Sequence, residues 1–90
     1  MARLHKRLFR IADELVALRE EETQVSAELE YHRSINDDAQ RDAVVSGANM
    51  DRLEASSTAK DVERFVKRLE QIGTRRRKLE AKRASLLRRL

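Results

Sequence analysis

The chain has 90 residues, of which 40% are Asp, Glu, Lys or Arg, only 3% are aromatic, and none is cysteine. This length and composition exclude a large globular core and are typical of long helices or coiled coils. Without cysteine there is no disulfide and no thiolate metal site, and without a long apolar run we expect no membrane contact and a cytoplasmic protein.

The first predicted element is a helix over about residues 3–45. Its apolar residues recur in alternating steps of four and three, which is heptad spacing and places them in one stripe, or seam, along a helix. Glu22 occupies the one gap in this stripe. After Ser34 the spacing becomes irregular, and Asn36 can cap a new helix, so an unbroken helix to Val45 and a break near Asn36 both stay open. The seam residues are Leu4, Leu8, Ile11, Leu15, Leu18, Val25 and Leu29.

The predicted tip covers residues 46–57. Ser46, Gly47, Ala48 and Asn49 form its turn, because glycine adopts the positive φ that ends a helix and Asn49 can cap the next helical turn. Residues 50–55 can add a short turn of helix, so a three-helix arrangement remains an alternative to a two-helix hairpin.

The second predicted helix covers about residues 58–90. Thr58 and Asp61 mark its start, since a hydroxyl caps first-turn amides and a carboxylate favours the positive end of the helix dipole. Arg76 and Arg83 occupy seam positions where apolar residues are expected. The apolar seam residues are Val62, Phe65, Leu69, Ile72, Leu79, Leu86 and Leu90.

These patterns predict an all-α fold, a single antiparallel helical hairpin that packs as a coiled coil. A register in which partner numbers sum to 94 sets every seam residue against a partner and centres on Gly47; a sum of 101 also satisfies the pairing but centres less well. The first register also brings Glu22 within reach of Arg76 across the seam, whereas Arg83 is expected to extend its head group into water. The paired residues are Leu4 with Leu90, Leu8 with Leu86, Leu15 with Leu79, Val25 with Leu69, and Leu29 with Phe65.

Apolar residues also flank the seam, at Phe9, Val16, Val66 and Leu87. They widen the apolar stripe beyond what a two-helix seam buries, as in a bundle of more helices. We therefore predict that these four residues mediate self-association, and that two hairpins form an antiparallel four-helix bundle.

Charge is unevenly distributed along the chain. Residues 1–12 hold four basic residues and no acidic one, and residues 75–90 hold eight basic residues and one acidic one, whereas acidic residues predominate between them. Folding as a hairpin brings the two basic segments together at the open end. This basic end is a candidate contact for nucleic acid or for an acidic partner, although basic residues near a helix C-terminus also serve solubility and the dipole. The candidate residues are Arg75, Arg76, Arg77, Lys78, Lys82 and Arg83.

Acidic residues lie toward the turn, and Asp37, Asp38 and Asp42 are candidate tip contacts. A helical hairpin that presents carboxylates at its tip resembles the Gre-type and DksA-type bacterial factors that enter the secondary channel of RNA polymerase. That resemblance covers the hairpin only and implies tip carboxylates that approach a catalytic magnesium. The chain departs from the DksA type because it has no cysteine zinc cluster.

Nothing in the sequence predicts catalysis. His5 and His32 are the only histidines, His32 falls on the seam as a structural imidazole, and no nucleophile constellation accompanies either. We therefore expect a non-enzyme with no catalytic residue, no metal site and no cofactor. The predicted function is a coiled-coil scaffold that self-associates and binds a larger protein partner. The alternative is a transcription-associated regulator that uses the acidic tip for RNA polymerase or the basic end for nucleic acid.

Overall fold

A computed structural model describes residues 2–90, which form two long helices joined by a two-residue turn. Helix α1 is Ala2–Ser46 and helix α2 is Asn49–Leu87. They pack along their whole length into a rod of 66 × 16 × 13 Å. The predicted all-α hairpin is confirmed, and the described residues contain no third helix.

Helix α1 is unbroken, which resolves the alternatives left open near Asn36. The sequence has no proline, and its first glycine is Gly47, so no strong helix breaker lies within α1. Asn36 does not cap a helix. It lies inside α1, and its side chain takes part in a contact between the helices.

The turn lies where it was predicted and is tighter. Gly47 has φ of +65°, the left-handed conformation that glycine adopts without steric cost. Its amide donates to the Ala43 carbonyl at 3.0 Å, and the guanidinium of Arg52 donates to the Gly47 carbonyl at 2.8 Å. The prediction that Asn49 caps α2 is wrong, because the capping position is Ala48 and no side chain caps there.

The predicted start of the second helix near Thr58 is also wrong, because α2 begins at Asn49 and absorbs most of the predicted tip. Thr58 is buried inside the helix, and its hydroxyl lies 2.9 Å from Asn36 Oδ1 and 3.1 Å from the Ala55 carbonyl oxygen. Gln40 Nε2 donates to the same two oxygens, at 3.1 and 3.0 Å. These four residues form a polar cluster that ties α1 to α2 near the tip.

The apolar seam supplies the core, which is narrow. Ile72 is the most completely buried side chain, with 1% of its surface exposed. At the open end, Leu4, Leu8, Leu15 and Leu18 pack as partly buried residues against Ile11, Leu79 and Leu86. Toward the tip the seam continues through small residues, Ala39 and Ala55, which sequence patterning did not identify. The buried apolar residues are Ile11, Val25, Leu29, Ala39, Ala55, Ile72, Leu79 and Leu86.

The register agrees with the predicted one near the tip, where it sets Asn36 against Thr58 and the two side chains are hydrogen-bonded. At the open end, Leu8, Leu15, Leu79 and Leu86 lie in one apolar cluster, which is consistent with the predicted pairs. The Leu4–Leu90 pair is not formed, since α2 stops at Leu87 and Leu90 is 56% exposed. A hydrophobic side chain beyond the last helical turn has no seam to enter.

The polar seam residues behave as their chemistry requires. Glu22 Oε2 lies 3.9 Å from Arg76 Nε, at the edge of an ion pair, and both side chains keep close to half of their surface in water. Arg83 is exposed. His32 is partly buried and its ring stacks on Phe65, with centroids 4.6 Å apart. Glu22, Arg76 and His32 therefore have structural contacts that need no ligand, and the Arg83 side chain lies in water.

Candidate interaction surfaces

Two carboxylates of α1 hold two guanidiniums of α2 along one flank of the seam. Glu14 accepts from Arg75 Nε at 2.8 Å and from Arg75 Nη2 at 3.1 Å, a bidentate geometry. One heptad farther from the open end, Glu21 accepts from Arg68 Nε at 2.8 Å. We call these two pairs the ion-pair ladder; sequence patterning did not identify it, although the seven-residue spacing within each helix was a readable signal.

The ladder changes the electrostatics of Arg75. Hydrogen bonding to Glu14, and then its negative charge, raise the pKa of the Arg75 guanidinium above its ordinary value. A guanidinium held this way is charged at any physiological pH and has a carboxylate as its partner. Arg75 is therefore less available to a nucleic acid or an acidic partner than its place in the basic run suggests.

The structure divides the six predicted basic contacts into two groups. Arg75 and Arg76 face carboxylates of α1, whereas the other four are exposed and form no ion pair with any residue in 2–90. Those four are Arg77, Lys78, Lys82 and Arg83. The basic end also includes α1 residues that were not predicted as contacts, since Arg7, Arg10 and Lys82 line one cavity of about 200 Å³ between the helices.

The predicted acidic contacts lie on the α1 surface near the tip. Asp37, Asp38 and Asp42 are all exposed. Asp38 pairs with Arg41 one turn away in the same helix. At the turn itself Asp51 accepts from the Ser46 hydroxyl, which joins the end of α1 to the first turn of α2. The carboxylates are thus spread along the last turns of α1 rather than gathered at one point.

Large apolar side chains project from both helices at the tip, and sequence patterning did not single them out. Val44 and Val45 of α1 are 84% and 87% exposed, and Met50 and Leu53 of α2 are 79% and 69% exposed. We call these four residues the apolar tip. Val44 and Val45 are consecutive in a helix, so no more than one of them can face the seam. In the described chain neither does.

Three of the four predicted self-association residues are exposed: Phe9 at 68%, Val16 at 54% and Leu87 at 50%, while Val66 is partly buried. We call these four residues the lateral face. Val16 lies two residues after Glu14, or about 160° around the helix, so it points away from the ion-pair ladder. Val66 is nine residues from Arg75 and points about 180° from it. The flank opposite the ion-pair ladder therefore carries the lateral face, together with charged residues such as Arg19, Glu80 and Arg83 beside Val16.

No group of three or more His, Asp or Glu side chains in residues 2–90 is placed to hold a metal ion. Over the same range, neither helix combines the length and apolarity that a membrane span requires. His32, on the seam, contacts the aromatic rings of Tyr31 and Phe65.

Comparison with known proteins returned no match for this chain, whether among protein-family models, curated proteins or solved structures.

Proposed function

We propose that this is a non-catalytic interaction protein of the cytoplasm, which self-associates through its lateral face and binds a larger protein partner through its apolar tip. The observation that carries the proposal is the placement of its exposed apolar residues. Seven of the nine large apolar residues that are exposed in residues 2–90 belong to the lateral face or the apolar tip, and the other two are Tyr31 and Leu90. Clustered exposed apolar surface on a small helical chain is typical of an interface.

Self-association is supported by the energetics of the seam. A two-helix hairpin buries one narrow stripe, and helices of this kind draw most of their stability from packing rather than from propensity. One broad side of the rod offers about 1,000 Å² from its 66 × 16 Å dimensions, compared with about 800 Å² per partner in a typical stable interface. A second hairpin on the lateral face therefore supplies enough area.

Charge favours an antiparallel arrangement of the two hairpins. A parallel pair brings two strongly basic open ends together, and like charges at short range raise the free energy of association. An antiparallel pair that overlaps along its whole length sets each basic end beside the acidic part of the other chain, where Asp37 and Asp42 lie. In this arrangement Phe9 and Leu87 of one chain pack against the tip half of the other chain rather than against their own copies. The closed two-fold dimer that results is an antiparallel four-helix bundle.

Binding of a larger partner is supported by the apolar tip. It lies at the end of a long rod, where a second antiparallel copy covers the flank but not the extremity. Asp42, Asp51 and Glu54 lie close to the four apolar residues in the sequence, as do Arg41 and Arg52. A partner of matching chemistry has an apolar pocket with a rim of mixed charge, since complementary charge steers encounter and apolar burial supplies affinity.

The proposal is tested by exchanging lateral-face residues for serine and measuring molar mass by sedimentation equilibrium. The doubly substituted chain Phe9→Ser/Val16→Ser is expected to remain helical and become monomeric. Tyr31→Ser is the control, because Tyr31 is 65% exposed but lies on a different side of α1. Phe9 and Val16 each follow a seam residue by one position, whereas Tyr31 follows the seam residue Leu29 by two. A wild-type chain that is monomeric at every concentration would contradict the proposal.

A second candidate function is nucleic-acid binding at the basic end. It is favoured by Arg77, Lys78, Lys82 and Arg83, which are exposed and unpaired within the described chain. Each phosphate contact adds to the salt dependence of binding. The expected result for this candidate is a steep loss of duplex-DNA affinity with salt. Lys78→Ala is expected to reduce this salt dependence, and Arg75→Ala is expected to reduce it less, because Arg75 already pairs with Glu14.

A further inference from the structure

The ion-pair ladder has a regular spacing that fails at the open end of the hairpin. Glu14 faces Arg75 and Glu21 faces Arg68, so each step of seven residues along α1 is matched by seven residues in the opposite direction along α2. One more step toward the open end sets Arg7 against Lys82. Two cations thus face each other at this step, whereas each of the next two steps pairs an anion with a cation.

A cavity marks this position. It has a volume of about 200 Å³ and lies between the helices, with Arg7 and Arg10 on the α1 side and Lys82 on the α2 side. Its floor is apolar, formed by Ile11 and Leu79, which are 6% and 4% exposed. Arg10 and Lys82 are exposed and Arg7 is partly buried, so water reaches all three charges.

The one acidic residue that lines the cavity does not neutralise these cations. Glu14 uses both carboxylate oxygens to accept from Arg75, at 2.8 and 3.1 Å. No carboxylate elsewhere in residues 2–90 forms an ion pair with Arg7, Arg10 or Lys82. A neighbouring cavity adds Arg3 and Arg89 beside the same Arg7, so the surroundings increase the positive potential.

We propose that Arg7, Arg10 and Lys82 form a binding site for a multiply charged phosphate group, such as a diphosphate or triphosphate. Two guanidiniums offer planar pairs of donors that match phosphate oxygens, and the lysine ammonium adds a point charge from the opposite helix. A bound phosphate supplies the anion that the ladder lacks at this step. The cavity volume corresponds to several water molecules at about 30 Å³ each, which is room for one such group.

Thermal unfolding at constant ionic strength, with and without inorganic triphosphate, tests this site. The wild-type chain is expected to melt at a higher temperature with triphosphate than with chloride at the same ionic strength, because a ligand that binds only the folded state stabilises it. Lys82→Glu places a carboxylate opposite Arg7 and completes the ladder. This variant is expected to melt higher than wild type without triphosphate and to lose the response to it.

Arg77→Glu is the matched control, since it makes the same change of charge on α2, Arg77 does not line this cavity, and its spacing of five residues from Lys82 does not favour an ion pair within the helix. It is expected to keep most of the triphosphate response. If Arg77→Glu and Lys82→Glu reduce the response equally, triphosphate senses only the general charge of the basic end, and the proposal is wrong. A wild-type response no larger than that to chloride would overturn it as well.

Isothermal titration with pyrophosphate supplies a second measurement that does not depend on stability. Arg7→Gln and Lys82→Gln are each expected to weaken binding about tenfold, the loss of one charge-assisted hydrogen bond, whereas Lys78→Gln changes it little. Equal losses in all three variants would contradict the site. Competition between short duplex DNA and pyrophosphate identifies a nucleic acid as the phosphate source, and absence of competition identifies a small phosphorylated molecule.

Discussion

At the scale of single residues, the polar cluster near the tip shows how a buried polar group specifies alignment. Asn36 and Thr58 contact each other across 22 positions of sequence. Sliding one helix past the other would break the Thr58–Asn36 and Gln40–Ala55 hydrogen bonds between the helices, each worth about 1 kcal/mol. We infer that the cluster stabilises this register against alternatives that the leucine spacing alone would allow.

Thr58→Val tests that inference, since valine keeps the shape of threonine and removes its hydroxyl. Asn36 Oδ1 keeps Gln40 as a donor, so the expected loss in the free energy of unfolding is about 1 kcal/mol. Thr23→Val is the control, because the Thr23 hydroxyl is exposed and bonds only within its own helix. Urea denaturation measures both. A loss in Thr23→Val as large as in Thr58→Val would contradict a special role for the cluster.

The Glu14–Arg75 pair leads to a prediction about pH and salt. Its partner raises the pKa of Arg75, so the favourable interaction is present below the ordinary arginine pKa and is lost only as the pH rises through the raised value. Because both values are strongly alkaline, this contribution stays constant through the neutral range.

A double-mutant cycle of Glu14→Gln and Arg75→Gln measures this pair directly. The coupling free energy is expected to be favourable, to fall with added salt because both side chains are half exposed, and to be unchanged by pH near neutrality. A coupling that varies strongly with pH there would show that another titrating group controls the pair.

At the scale of the elements, the two helices and their turn were largely predictable from spacing. The heptad seam predicts both helices and their pairing, because the apolar stripe of each helix must be buried against another helix. The pairing is antiparallel because a short turn joins the two helices. Gly47 predicts the turn because few other residues adopt its φ. The start of α2 was not predictable in the same way. From its sequence neighbours alone, the Thr58 hydroxyl is typical of a helix cap. Its partner is instead Asn36, which comes near only in the folded hairpin.

The two glycines are expected to respond to alanine in opposite directions. Gly47→Ala forces an L-residue into a positive φ of 65° and is expected to cost about 1–2 kcal/mol. An added Cβ there meets nothing within 4 Å, so the cost belongs to the backbone alone. Gly73→Ala lies inside α2 and is expected to gain about 0.5–1 kcal/mol. The Arg77 guanidinium 3.3 Å from its Cβ is flexible enough to move.

Thermal or urea unfolding of the two glycine variants separates these effects. If Gly47→Ala is neutral, the turn does not depend on a left-handed residue. If Gly73→Ala destabilises, the small side chain at position 73 is needed for close approach of another helix, which would favour the lateral flank as a packing surface.

At the scale of the whole molecule, the candidate surfaces were less predictable than the fold. The lateral face was predicted because residues such as Phe9 extend the seam pattern. The apolar tip was missed because residues 44–53 carry no periodicity, and their exposure follows from the turn. The cavity at Arg7 and Lys82 was missed because it forms only when two distant segments are aligned. The count of basic residues predicted a basic end, but not which of its side chains face each other.

The apolar tip makes a prediction about partner binding that is independent of self-association. Val45→Ser/Met50→Ser is expected to abolish salt-resistant, stoichiometric binding of the larger partner while leaving the dimer intact. Asp37→Asn is the control for the carboxylates along α1 and is expected to change only the rate of association. Affinity purification followed by titration of the purified partner measures both. Loss of binding in Asp37→Asn but not in the apolar variant would assign the contact to the acidic residues.

Self-association through the lateral face is tested by sedimentation equilibrium of the wild-type chain over a range of concentrations. We expect a monomer–dimer equilibrium that shifts with concentration, a melting temperature that rises with concentration, and a monomeric Phe9→Ser/Val16→Ser variant beside a dimeric Tyr31→Ser variant. A stable, folded monomer at every concentration, with the same melting temperature in all three chains, would contradict self-association and show that one narrow seam is enough to hold this hairpin together.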